Sequence, residues 1–223
     1  MMQIAFPIIM AFFATGLSGL LIRLVTDKFE SLQENQEISG KEHKQCTVYL
    51  VVALTLNISV ALFMKLFYDD RWQEIVRVLL VISVLWACAW VDVKSRIIPN
   101  KILLVGLLIR CVLIAVETLL SPSEVGYILL SSIVAAIALF IGSFLCRLVS
   151  RESIGFGDVK LLAFMGFCLQ NDRIWGAIFL SAFVAFVYSL YLVLFKKANR
   201  KTEIPFAPLL LAGTIAASII TTV

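Results

Sequence analysis

Long apolar runs separated by short polar breaks dominate the chain. Runs at about 4–25, 47–67, 75–91, 102–119, 126–149, 174–195 and 205–222 each approach the roughly 20 apolar residues that cross hydrocarbon at 1.5 Å per residue. A shorter run, 158–169, follows a glycine-containing turn. Counted as a crossing it gives eight spans; read as re-entrant it gives seven. The first run lacks the basic region and small-residue cleavage site of a signal peptide and reads as a retained helix. The pattern predicts an all-α polytopic membrane protein, one transmembrane domain over 1–223, with 26–46 as a short polar loop.

Composition agrees. Of 223 residues 61% are hydrophobic and 15% charged, and the mean hydropathy is +0.99. A soluble domain of this size could not hide so much apolar surface in one core. The net charge of +4 reads as membrane topology, not as nucleic-acid binding. The five cysteines (Cys46, Cys88, Cys111, Cys146, Cys168) never form C-x-x-C, and four lie in apolar runs, so they read as small core hydrophobes, not zinc ligands.

Loop charges orient the eight-span arrangement. One face receives Lys28, Lys41 and Lys44, then Lys94, Arg96 and Lys101, then Arg151 and Lys160, and finally Lys196, Lys197, Arg200 and Lys201. The opposite loops carry only Arg71 and Arg173. The basic face is therefore expected to be cytoplasmic, with both termini outside. Seven spans would put the basic 196–204 loop outside, so the charge rule favours eight.

This topology brings two carboxylates to one side. Asp92 ends an apolar helix in "AWVDVKSRIIPNKILL", and Pro99 drives Ile98 out of helical geometry. Asp158 opens the next apolar segment in "SIGFGDVKLL". Two carboxylates held a few Å apart in a partly dry site cannot both ionise, so they share a proton. The ionised member can take a proton from water while its partner hydrogen-bonds a scissile carbonyl and then protonates the leaving amine. Gly155 and Gly157 would permit positive φ and close approach of a substrate strand. The structural alternative is that both aspartates cap helices or pair with Lys94, Arg96 and Lys160.

"DVKSRIIPN" and "GFGDVKLL" together resemble the two signatures of the type IV prepilin peptidases, intramembrane aspartic proteases of the G-x-G-D class. "EIPFAPLLLAG" at 203–213 is similar to a segment near that family's C-terminus, with Ala207 where glycine is usual, and "GLSGLLIRL" at 16–24 weakly resembles its N-terminal helix. The resemblance implies that Asp92 and Asp158 are catalytic, that Gly155, Gly157, Lys160, Pro99 and Asn100 belong to the motifs or contact substrate, and that water is the nucleophile, with no metal or organic cofactor. It implies cleavage of a basic leader, after a glycine, from a prepilin or pseudopilin whose apolar helix enters from the lipid bilayer. The location would be the prokaryotic cytoplasmic membrane. Bifunctional members carry a zinc-binding C-x-x-C domain and N-methylate the product; the interval before Cys46 holds no cysteine, so a peptidase without methyltransferase activity is expected.

Other readings are less well supported. A transporter, or a non-enzymatic subunit of a pilus or secretion machine, would not need the aspartate pair. Asp69 and Asp70 fall in the opposite loop, which argues against a presenilin-like tyrosine–aspartate motif in "YDD". His43, the one histidine, reads as a surface residue. Arg110 lies in mid-helix, where a charge costs about 3 kcal/mol on the modest scales and must face protein or water. Glu117, two turns on, is expected to be about 10 Å away, too far for a direct pair without a neighbouring helix, so Arg110 reads either as a structural polar anchor in the bundle or as lining the site. Lys160 either tunes the pair, binds substrate backbone or snorkels to the interface.

Overall fold

A backbone inside hydrocarbon must satisfy its own hydrogen bonds, so each apolar run folds as a helix. The computed structural model describes residues 2–30, 40–68, 71–149, 155–195 and 204–220, without the side chains of 2–4, 25–30 and 40–46. The helices are α1 (Met2–Glu30), α2 (Gly40–Tyr68), α3 (Trp72–Ser95), α4 (Asn100–Leu120), α5 (Val125–Val149), α6 (Phe156–Phe195) and α7 (Ala207–Ile220), with a 3₁₀ turn at Pro122–Glu124. There is no strand among the described residues. Six helical segments are long and apolar enough to cross a membrane, and α7 is a shorter apolar helix.

The polar interval 26–46 is less of a loop than the sequence suggests. α1 continues to Glu30 and α2 begins at Gly40, because Lys, Glu and Gln are good helix formers that extend a helix past the apolar run. His43 and Cys46 lie in helical backbone but outside the described side chains, and Asp69, Asp70 and Arg151 fall outside the described residues.

Runs 158–169 and 174–195 form one continuous element, α6, that turns sharply at Gln170 (φ 60°, ψ −178°). Gln170 occupies a region of backbone space that is essentially reserved for glycine, which breaks the helix. Before the break α6 runs parallel to α4: Gly157 meets Ile98, Lys160 meets Asn100 and Phe164 meets Gly106. Beyond it α6 runs antiparallel to α7, with Ser181 beside Leu210 and Gly213, and Arg173 and Ala177 nearer Thr214, Ala217 and Ser218. The two arms are thus antiparallel, which gives the 158–169 run its own pass along the bundle.

α3 is the central post. Every residue from Val78 to Ala89 is buried, and α3 touches α1, α2, α4, α6 and α7, as expected of a helix apolar on all sides. Lipid is as apolar as leucine, so helix association relies on close packing at small residues. Gly166 lets α6 lie on the Ala135 carbonyl, and Gly213 lets α7 lie on the Ser181 backbone.

The Arg110 expectation is corrected. Arg110 is fully buried, and its Nη1 lies 2.9 Å from Glu117 Oε1. Two long side chains leaning towards each other span two helical turns without help from a neighbouring helix. Arg77 Nε on α3 then approaches the same oxygen at 3.5 Å.

A Cβ at position 213 would lie 2.2 Å from Ser181 Cα, whereas one at position 142 meets nothing within 4 Å. Gly213→Ala is therefore expected to destabilise by about 1–3 kcal/mol, as overpacking does, lowering membrane abundance and the detergent-solubilised Tm. Gly142→Ala should leave both unchanged.

Candidate active site

The first motif is built by a helix that ends early. The Arg96 N–H donates to the Asp92 carbonyl at 2.9 Å with Arg96 in the left-handed region (φ 53°, ψ 34°). Ile97, Ile98 and Pro99 leave the helix, and α4 starts at Asn100 behind an extended Pro99 (φ −71°, ψ 122°). Proline ends one element here and presets the next. Asp92 is left in the last turn of α3 and is 5% exposed.

The second motif docks against that turn. Ile98 is buried, and a Cβ on Gly157 would sit 3.0 Å from Ile98 Cβ. None of the described glycines has positive φ, so the expected left-handed role of Gly155 and Gly157 is corrected. At Gly157 the requirement is close approach. At Gly155 the backbone N–H donates to Asp158 Oδ2 at 3.2 Å, while the Asp158 N–H donates to the Gly155 carbonyl at 3.1 Å. This reciprocal pair satisfies donors that a helix start leaves open.

Asp92 is held in a similar way from much further along the chain. The Ala207 N–H, at the first position of α7, donates to Asp92 Oδ2 at 3.0 Å. Each aspartate thus spends one oxygen on a helix N-terminus, where the aligned N–H groups favour negative charge. The other oxygen of each carries no hydrogen bond among the described residues. The two carboxylates are close enough to interact electrostatically. The capping alternative is therefore half right: both aspartates cap helices, yet the caps bring them together.

Lys160 pairs with neither aspartate among the described residues. Its ammonium donates to Asn100 Oδ1 at 3.1 Å and lies 4.8 Å from the Phe156 ring centre, tying the start of α6 to the start of α4. Lys94 sits over the Trp90 ring at 4.4 Å. The structure thus gathers Asp92, Pro99, Asn100, Gly155, Gly157, Asp158 and Lys160 at one end of the bundle. Beside them an apolar cleft of about 610 Å³ runs between α4, α5 and α6, lined by Leu103, Leu107, Phe140, Phe164 and Phe167, with Asn100, Lys101 and Lys160 at its polar end. No group of three or more His, Cys, Asp or Glu side chains that could hold a metal ion occurs among the described residues. Sequence reasoning missed the Ala207 N–H; Pro208, at the second position of a helix, was the available sign of a helix N-terminus there.

The profile described as "Type IV leader peptidase family" matches residues 79–190. The chain is 30% identical over 144 residues to the "Prepilin leader peptidase/N-methyltransferase" of Bacillus subtilis, covering 65% of this chain and 55% of that protein. It is 29% identical over 174 residues to the protein of that name in Aeromonas salmonicida (75% and 56% covered). It is 31% identical over 163 residues to that in Stutzerimonas stutzeri (67% and 51% covered). The chain spans about half the length of these relatives. No solved structure matches.

Removing the Asp92 carboxylate leaves the buried Ala207 N–H without an acceptor. Asp92→Ala is expected to cost about 1–3 kcal/mol and to lower the Tm in detergent. Asp92→Asn, whose Oδ1 can still accept, should stay near wild type.

Proposed function

The chain belongs to the type IV leader peptidase family, and on that premise we propose that it is an intramembrane aspartic endopeptidase that removes the leader from prepilin-like proteins. The observation that carries this reading is the meeting of Asp92 and Asp158 at one end of the bundle, each with one oxygen held by a backbone N–H.

The pair works as an acid–base unit. One carboxylate takes a proton from water as the water oxygen attacks the scissile carbonyl carbon. The protonated partner hydrogen-bonds the carbonyl oxygen as negative charge develops there. Collapse of the tetrahedral intermediate breaks the C–N bond, and the leaving amine takes a proton from the pair. The backbone donors at Gly155 and Ala207 fix the carboxylates, so little reorganisation is needed during reaction.

The substrate is a pilin or pseudopilin precursor with an apolar helix after its leader. The cleft between α4, α5 and α6 receives that helix from the bilayer, and its polar end at Asn100, Lys101 and Lys160 lies beside the aspartates. Cleavage follows a glycine. Eight passes, with the aspartates on the basic cytoplasmic face of the prokaryotic plasma membrane, complete the reading. The short interval between α1 and α2 supports peptidase activity without methyl transfer or zinc.

Two tests follow. Either Asp92→Asn or Asp158→Asn should abolish leader cleavage of a co-expressed prepilin, at about 10²–10⁴-fold per lost acid–base group. The double variant should be no worse than the singles, since groups acting as a unit are non-additive. Asp69→Asn and Asp70→Asn should cleave normally. Full cleavage by either motif variant at matched abundance would remove the assignment. Separately, cysteines introduced at positions 96 and 156 should label from the cytoplasm and those at 70 and 122 from outside; labelling of 96 and 156 from opposite faces excludes a shared site.

A further inference from the structure

The cleft between α4, α5 and α6 is apolar along its length and cationic at one end. Leu103, Leu104 and Leu107 of α4, Phe140 of α5, and Phe164 and Phe167 of α6 form its walls. Leu104 is 57% exposed, so this wall meets hydrocarbon and not protein. Asn100, Lys101 and Lys160 close the polar end, and no acidic side chain lines the cleft among the described residues.

Nothing on the lining neutralises the two ammonium groups. Lys101 forms no ion pair among the described residues, where Lys160 meets only the neutral Asn100 Oδ1 at 3.1 Å and the Phe156 ring at 4.8 Å. Asp158 precedes Lys160 by two residues, and positions so spaced do not face each other on a helix. Its Oδ2 accepts from the Gly155 N–H instead. The Asn100 bond and the Phe156 ring hold the Lys160 charge in place ahead of any ligand, which lowers the cost of binding one. By contrast, an apolar crevice of about 260 Å³ between α1, α3 and α4 has no charged lining residue and asks only for hydrocarbon.

A molecule that suits the cleft joins a negative headgroup to a long apolar chain, with the junction at the level of the lysines. We propose that the cleft binds one anionic phospholipid, its phosphate on Lys101 and Lys160 and one acyl chain laid between α4 and α5 against Phe164 and Phe167. Seven residues of α6 separate Lys160 from Phe167, about 10 Å at 1.5 Å per residue. That length holds most of the roughly 15 Å that the chains of one leaflet span. The lipid belongs to the leaflet at the aspartate end and fills the gap that separates α4 from α5. Its binding stands apart from leader cleavage; on the reading given above, the substrate helix displaces it from the cleft.

The test uses the full-length protein, purified and delipidated in a neutral detergent. Bound lipid is counted by native mass spectrometry during titration with phosphatidylglycerol, or with phosphatidylcholine of the same chains. Phosphatidylglycerol should fill one site about 25-fold more tightly, about fivefold for each lysine. Lys101→Gln and Lys160→Gln should each remove about fivefold of that preference, and the double variant most of it. Lys94→Gln, whose ammonium lies over Trp90 and outside the cleft, should keep it. Ala163→Phe fills the apolar part and spares both lysines, so it should abolish the tight site. Equal affinity for the two lipids overturns the proposal, as does a preference that survives in the double lysine variant or falls as far in Lys94→Gln. An unchanged tight site in Ala163→Phe at wild-type Tm overturns it too, and the lysine series decides where that variant lowers the Tm. None of these measurements involves leader cleavage, so their failure leaves the proposed function standing.

Discussion

The hydrogen bond from the Ala207 N–H to Asp92 Oδ2 joins positions 115 residues apart. It fixes the end of the central helix α3 to the start of α7, and it satisfies two demands at once. Asp92 is almost fully buried, and a buried carboxylate is expensive without a donor. The start of α7 has N–H groups that no helical partner can accept. Each answers the other, so a buried carboxylate becomes a joint between the end of α3 and the start of α7. Asp158 repeats the arrangement locally through Gly155.

The rest of the site follows from how closely α6 can approach that joint. Gly157 brings α6 onto Ile98, and Lys160 with Asn100 ties the adjacent turns. At the far end, Gln170 turns the chain back so that the second arm of α6 can pack on α7 through Gly213 and Ser181. α7 is therefore held along its length by α6 and at its start by Asp92. The proposed peptide-bond chemistry calls for two carboxylates near each other and near water; the packing brings Asp92 and Asp158 within electrostatic reach of each other at one end of the bundle.

Much of this was legible in the chain. Hydrophobic runs located the described helices, with bounds within a few residues except at the end of α1 and the start of α2, because hydrocarbon admits no other spanning structure for an apolar run of this kind, and Pro99 marked the break after Asp92. Three features were not legible. The interval 26–46 hid helical extensions, since polar helix formers look like loop once the apolar signal ends. The polar stretch 170–173 marked a break between the runs 158–169 and 174–195, but not that the single residue Gln170 would make it inside one continuous element. The pairing of Arg110 with Glu117 depends on side-chain reach, which backbone spacing alone does not report.

The central claim is that the turn after Asp92 and the turn before Asp158 form one site. The most direct measurement is disulfide formation, in native membranes, between Ile98→Cys and Gly157→Cys in a chain cleared of its own cysteines. A Cβ at position 157 would lie 3.0 Å from that of Ile98, within a small adjustment of the roughly 3.8 Å that a disulfide prefers. Mild oxidation should cross-link the pair in most molecules. Two cysteines that each react with a thiol reagent yet never join would contradict the account.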